Sequence, residues 1–197
     1  MTSDGYYYAV ALVLFIFVAV VIYRLPRPKL AFIEKPILAF LDLSGGDNAA
    51  DLVADRASFG SLFYFVIEST SWPPKCDVLF VYCRLEDDGR IHGWKSNLRD
   101  LIRESGASIV VLAAGNTAEA SLAAAKETGY GRANLVLTFD RRGELFGEFF
   151  YKLFNAMKQG TSMSLAWVQI APQIPGRDHP DVPSSLFLCE AGQIAFR

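Results

Sequence analysis

The stretch Ile109–Ala120 reads IVVLAAGNTAEA. Five apolar residues run into a small, tight turn, and an alanine-rich, helix-like segment follows to Thr128. An unbroken apolar run of this length, closed by a turn, predicts a strand buried on both faces. Strand, turn and helix in that order are the unit of a parallel α/β sheet. In such sheets ligands bind in the crevice outside the carboxyl ends of the strands. This corner offers Gly115, Asn116 and Thr117, and no Cys, Ser or His.

The same alternation extends in both directions. Pro36–Leu43 (PILAFLDL) predicts a buried strand that ends in the turn Ser44-Gly45-Gly46-Asp47. Ala49–Glu68 reads as a helix with Leu52, Phe59, Leu62, Phe63 and Val66 near one face, broken by Trp72-Pro73-Pro74. Asp77–Cys83 (DVLFVYC) is the next strand, Asp87-Asp88-Gly89 a turn, and Trp94–Ser105 a helix stopped by Gly106. Asn134–Phe139 is a further strand, ending at Asp140. Glu144–Gln159 is a helix whose stripe of Phe146, Phe149, Phe150 and Phe154 belongs to a core. A short helix over Ser162–Ile170, a Pro- and Gly-rich loop, and two apolar pieces, Ser185–Glu190 and Gln193–Phe196, close the chain. The expected class is α/β: a mostly parallel sheet between two layers of helices, over residues 36–197.

A different segment precedes this domain. Tyr6–Tyr23 (YYYAVALVLFIFVAVVIY) carries no charge, Pro or Gly over eighteen residues. As a helix it spans about 27 Å, close to the hydrocarbon thickness of a bilayer, and tyrosines mark both interfaces. No basic region precedes it and no small-x-small site ends it, so it reads as an uncleaved anchor rather than a signal peptide. Arg24, Arg27 and Lys29 follow the span directly, and no Lys or Arg precedes it. The positive-inside rule then puts the N-terminus outside and the domain in the cytoplasm, at the inner membrane. Residues 1–24 are thus a tail and anchor, and 25–35 a stiff stalk with two prolines.

Charge and cysteine content narrow the function classes. Over 197 residues the net charge is −2, which gives no electrostatic case for nucleic acid. Three cysteines, Cys76, Cys83 and Cys189, form neither a disulfide framework nor a zinc pattern, and read as reduced thiols.

Three stretches together resemble the caspase-like fold and, within it, the bacterial CHAT protease type. DVLFVYCRLEDDGRI (77–91) is similar to the family strand that ends in His-Gly before an acidic-glycine turn. IVVLAAGNTAEA is similar to the strand that ends in Ala-Cys. ANLVLTFDRRGELFGEFFYKLFNAMKQGTSMSLAWVQ (133–169) resembles the closing section, and SSLFLCEAG the last strand and turn. The resemblance implies a three-layer caspase-like sandwich, a cysteine nucleophile polarised by a histidine, and a setting in bacterial stress or defence. Here Cys83 or Arg84 stands at the position matching the His, and Gly115 at the position matching the Cys. The dyad is absent, so the expectation is a pseudo-protease that binds or scaffolds a protein partner.

Two alternatives remain open from the residues. A relocated Cys83–His92 pair would make a hydrolase. A small-ligand sensor would hold a nucleotide-like phosphate on the amides of Ser44, Gly45 and Gly46, beside a strand-end rim of Asp42, Asp87, Asn116 and Asp140. His179, between Asp178 and Pro180, is too thin a set for a metal site. The reading assigns no cofactor, no metal and no oligomeric state.

Overall fold

Apolar runs with no polar alternation form the centre of one sheet. The computed structural model describes residues 29–126, 132–171 and 183–197. In chain order the elements are β1 (Leu30–Ile33), β2 (Ile37–Asp42), α1 (Ala49–Phe59), β3 (Phe65–Ser69), β4 (Val78–Tyr82), α2 (Leu98–Ser105), β5 (Ile109–Leu112), α3 (Ala118–Lys126), β6 (Asn134–Asp140), α4 (Glu144–Lys158), α5 (Met163–Ile170), β7 (Ser184–Cys189) and β8 (Gln193–Phe196). Six strands form the main sheet in the order β3-β2-β4-β5-β6-β7. All are parallel except β7, which runs antiparallel to β6. β1 and β8 make a separate parallel pair.

Alternation along each strand builds two cores. Leu38, Phe40, Val78, Phe80, Val111 and Val136 face α1, α4 and α5. Ala39, Leu41, Leu79, Val81, Leu112 and Leu135 face α2 and α3. The domain is therefore three layers, α/β/α, with both sheet faces covered as parallel strands require. The first core is aromatic. Phe80 lies 5.0 Å from both Phe59 and Phe150, and Phe63 lies 5.0 Å from Phe154, ring centre to ring centre. The stripe on α4 is buried here as expected, with Phe146, Phe150 and Phe154 at no more than 1% exposure.

Three segments depart from the sequence reading. The long helix expected over 49–68 ends at Phe59, and a single 3₁₀ turn, Gly60–Leu62, leads into β3. Phe65–Ser69 then pairs with β2 as the sheet edge, from Ile37 opposite Phe65 to Leu41 opposite Ser69. Being at the edge, this strand is only partly buried, so its apolar residues also fit a helical face. α2 starts at Leu98, not at Trp94, because the Asn97 side chain accepts from the Asp100 amide at 2.8 Å and caps it there. The stalk expected over 25–35 is structured from Leu30: β1 pairs with β8, so the folded unit starts before residue 36.

The expected span over 6–23, stalk residues 25–28 and His179 lie outside the described residues. Among the described residues no helix is long and apolar enough to cross a membrane.

Candidate functional site

The carboxyl ends of β2, β4, β5 and β6 share one edge, and backbone bonds continue across it beyond the strands. Leu43 donates to the Tyr82 carbonyl at 2.8 Å, Ala113 to Val81 at 2.8 Å, and Asn116 to Thr138 at 3.2 Å. β4 and β5 are parallel neighbours, so Cys83 and Gly115 follow the ends of adjacent strands. A polar clamp links them. The Asn116 side chain accepts from the Leu85 amide at 2.8 Å. Its Nδ2 donates to the Cys83 carbonyl at 3.1 Å and to the Ala114 carbonyl at 3.2 Å. Gly115 is held close to β6: a Cβ there would sit 3.1 Å from the Phe139 carbonyl oxygen. Asn116 thus does not offer a free amide to a ligand. It fastens one strand end to the next.

The sulfur and imidazole at this edge are unsuited to nucleophilic chemistry. Cys83 is 1% exposed among Val81, Leu85 and Ile91. Burial pushes its thiol up to about 12. Cys76 is pushed to about 12 too, first by burial and then by Asp77. His92 is 63% exposed and its Nδ1 meets Glu86 Oε1 at 2.5 Å. Arg84 is exposed, and its carbonyl accepts from the His92 amide at 2.8 Å in the loop after β4. That loop packs hard on α3, since a Cβ on Gly89 would lie 2.2 Å from the Ala124 nitrogen.

The rim residues are dispersed into local turns. The Asp42 carboxylate accepts from the Ser44 amide at 2.9 Å and from its hydroxyl at 2.5 Å. Ser44 Oγ in turn accepts from the Asn48 amide at 3.1 Å. Gly45 and Gly46, at φ +73° and +103°, supply the left-handed turn this closure requires. Asp140 accepts from the Arg142 amide at 3.0 Å, and Asp87 is exposed. Among the described residues, no group of three or more His, Cys, Asp and Glu is arranged to hold a metal ion.

What the structure does assemble is a different cluster. Arg141 follows β6 and turns its guanidinium inward. Nη2 donates to both carboxylate oxygens of Asp55, at 2.9 and 3.0 Å, and Nη1 to the Ala113 carbonyl at 2.7 Å. Asp51, one helical turn before Asp55, lies 3.2 Å from Nε. The guanidinium carbon sits 3.9 Å from the Phe146 ring centre. Tyr82, the last residue of β4, donates its hydroxyl to Asp55 at 2.6 Å. Burial pushes the Asp55 carboxyl above its ordinary value, although Arg141 pulls the other way. Burial and then the Asp55 charge raise the Tyr82 phenol, which stays protonated as a donor.

Above this cluster a groove of about 600 Å³ runs between α1 and α4, lined by Asp51, Asp55, Ser58, Arg141, Glu144 and Tyr151 among others. The two helices touch at Gly147, where a Cβ would meet Ser58 Oγ at 2.6 Å. Sequence reading missed this site. Asp51 and Asp55 at i, i+4 carry no sign of burial in the sequence pattern, and Arg141 lies one residue beyond the strand-end Asp140. Compared with known proteins, the chain matches no family model, no curated protein and no solved structure.

Proposed function

We propose that this chain is a membrane-anchored binding module, built on a caspase-like domain that has lost its catalytic pair. The observation that carries this reading is the Asn116 clamp. The gap between the ends of β4 and β5 is closed by hydrogen bonds to Cys83, Ala114 and Leu85, and the Cys83 thiol beside it is 1% exposed. Support for the fold comes from the α/β/α layering and the mostly parallel sheet with an antiparallel last strand. The anchor rests on the uncharged run Tyr6–Tyr23 and the basic residues after it, which put the domain on the cytosolic face.

Among the described residues, the α1–α4 groove is a surface suited to a partner. Asp51, Glu144 and Glu148 give it an acidic rim, while its buried Arg141 is already engaged by Asp55. Such a rim fits a basic segment of a protein partner, held by charge at the mouth and by Tyr151 beside it. The test is titration of the full-length protein in detergent with labelled Lys/Arg-rich peptides, followed by anisotropy. Saturable binding that weakens with salt and with Asp51→Asn plus Glu144→Gln supports the reading, provided the peptide stays intact. Peptide cleavage by material freed of contaminating proteases overturns it.

A further inference from the structure

The segments around the amino ends of β2 and β3 carry a second surface. Leu30 and Phe32 on β1 are 39% and 38% exposed, and Tyr64 and Phe65 at the start of β3 are 69% and 58% exposed. Cations tie these aromatic residues together. The Arg197 guanidinium lies 3.9 Å from the Phe32 ring centre, and the Lys35 amine 5.4 Å from that of Tyr64. Backbone bonds hold the group as a unit: Lys35 donates to the Arg197 carbonyl at 3.1 Å, Arg197 to Ile33 at 2.9 Å, and Tyr64 to Pro36 at 3.0 Å. Glu34 is the one carboxylate between Lys29 and Ile37.

We infer that this patch rests on the anionic headgroup surface of the membrane that holds the anchor. The inference builds on the anchor reading of residues 6–23. Six residues separate Tyr23 from Leu30, and fully extended they reach about 20 Å. The amino edge of the sheet is therefore held within a short tether of the bilayer. Tyrosine and phenylalanine set among Lys and Arg is the chemistry of an interface, with rings at headgroup level and cations on anionic lipid. The tether and the charge point to lipid as the occupant, in preference to a second copy on the open edge of β3. In this pose the carboxyl edge of the sheet faces away from the bilayer.

The experiment uses the full chain in lipid nanodiscs. In a Cys189→Ser background, Tyr64→Cys or Trp72→Cys carries an environment-sensitive fluorophore, since Cys76 and Cys83 are buried. Tyr64 and Trp72 flank the two ends of β3, and Trp72 is 58% exposed. Lipids spin-labelled near the headgroup serve as quencher. In nanodiscs of phosphatidylcholine with phosphatidylserine, the label at 64 is quenched and the label at 72 is not. Lys35→Glu with Arg197→Glu diminishes that quenching. Equal quenching at both ends, no quenching at 64, or quenching undiminished by charge reversal overturns the inference. Alkaline extraction separates the two claims. A chain that stays in vesicles while 64 is unquenched removes the docked pose alone, and a chain released by alkali removes the anchor and the pose together.

Discussion

The side-chain amide of Asn116 donates to the carbonyl of Cys83 at 3.1 Å, across the ends of two adjacent parallel strands. That contact and its partner, the Leu85 amide at 2.8 Å on Asn116 Oδ1, fasten the turn after β5 to the loop after β4; under the proposed caspase-like reading, this is where a nucleophile and a base would stand. The corner is built for closure.

Asn116→Ala therefore costs stability. The buried Leu85 amide loses its side-chain acceptor, and a buried donor left unpaired costs about 1–3 kcal/mol. Chemical denaturation is expected to show a loss in that range. Hydrogen exchange is expected to speed up at Leu85, whose amide is freed. Unchanged stability and exchange would mean that the clamp is ornamental.

The Asp55–Arg141 pair makes a pH-dependent contribution whose sign is fixed by burial. Asp55 is 1% exposed and its carboxyl titrates above the ordinary 3.8. The native state thus keeps a proton that the unfolded chain has already released, and the stability from that proton is lost as pH rises from 3.8 through the native value. Arg141→Met removes the cation that holds Asp55 down, so its carboxyl rises further. The penalty is then small in acid and grows toward about 3–5 kcal/mol at neutral pH, where a buried charge is left unpaired. Adding Asp55→Asn recovers part of it. Denaturant titrations across the acid range measure both effects. A penalty from Arg141→Met that does not vary with pH would contradict this.

Close approach of α1 and α4 sets a third expectation. Gly147→Ala gains about 1 kcal/mol of helix propensity, but its Cβ lands 2.6 Å from Ser58 Oγ and 3.0 Å from Ser58 Cβ. Forced shifts of this sort cost about 1–3 kcal/mol, so the variant is expected to be less stable. Ser58→Gly in the same chain opens the space and restores most of the loss. Thermal melts of the single and double variants decide it: a Gly147→Ala protein more stable than the parent would show that the helices separate freely.

The central strands were legible because their surroundings are uniform. PILAFLDL, DVLFVYC, IVVLA and NLVLTF are apolar on both faces, and strands buried between two helical layers have that pattern. FVIES at β3 was not legible. At the sheet edge Phe65 and Glu68 are exposed while Val66 and Ile67 are half-buried, and that mixture fits one face of a helix as readily as a strand. Gly115 was readable as a position without chemistry. The Asp55–Arg141 cluster was not, because it joins residues 86 apart in sequence. An aspartate within a helix gives no sign of burial until the arginine and the Tyr82 hydroxyl are placed against it.

The most direct test of the account is native-state labelling with a thiol-reactive electrophile, read residue by residue by mass spectrometry. Cys189 is exposed, whereas Cys76 and Cys83 are buried with thiols raised to about 12. Modification is expected at Cys189 alone in the folded protein, and at all three only after denaturation. Rapid, selective modification of Cys83 in the native protein, abolished by His92→Ala, would show an activated nucleophile at the strand end and contradict it.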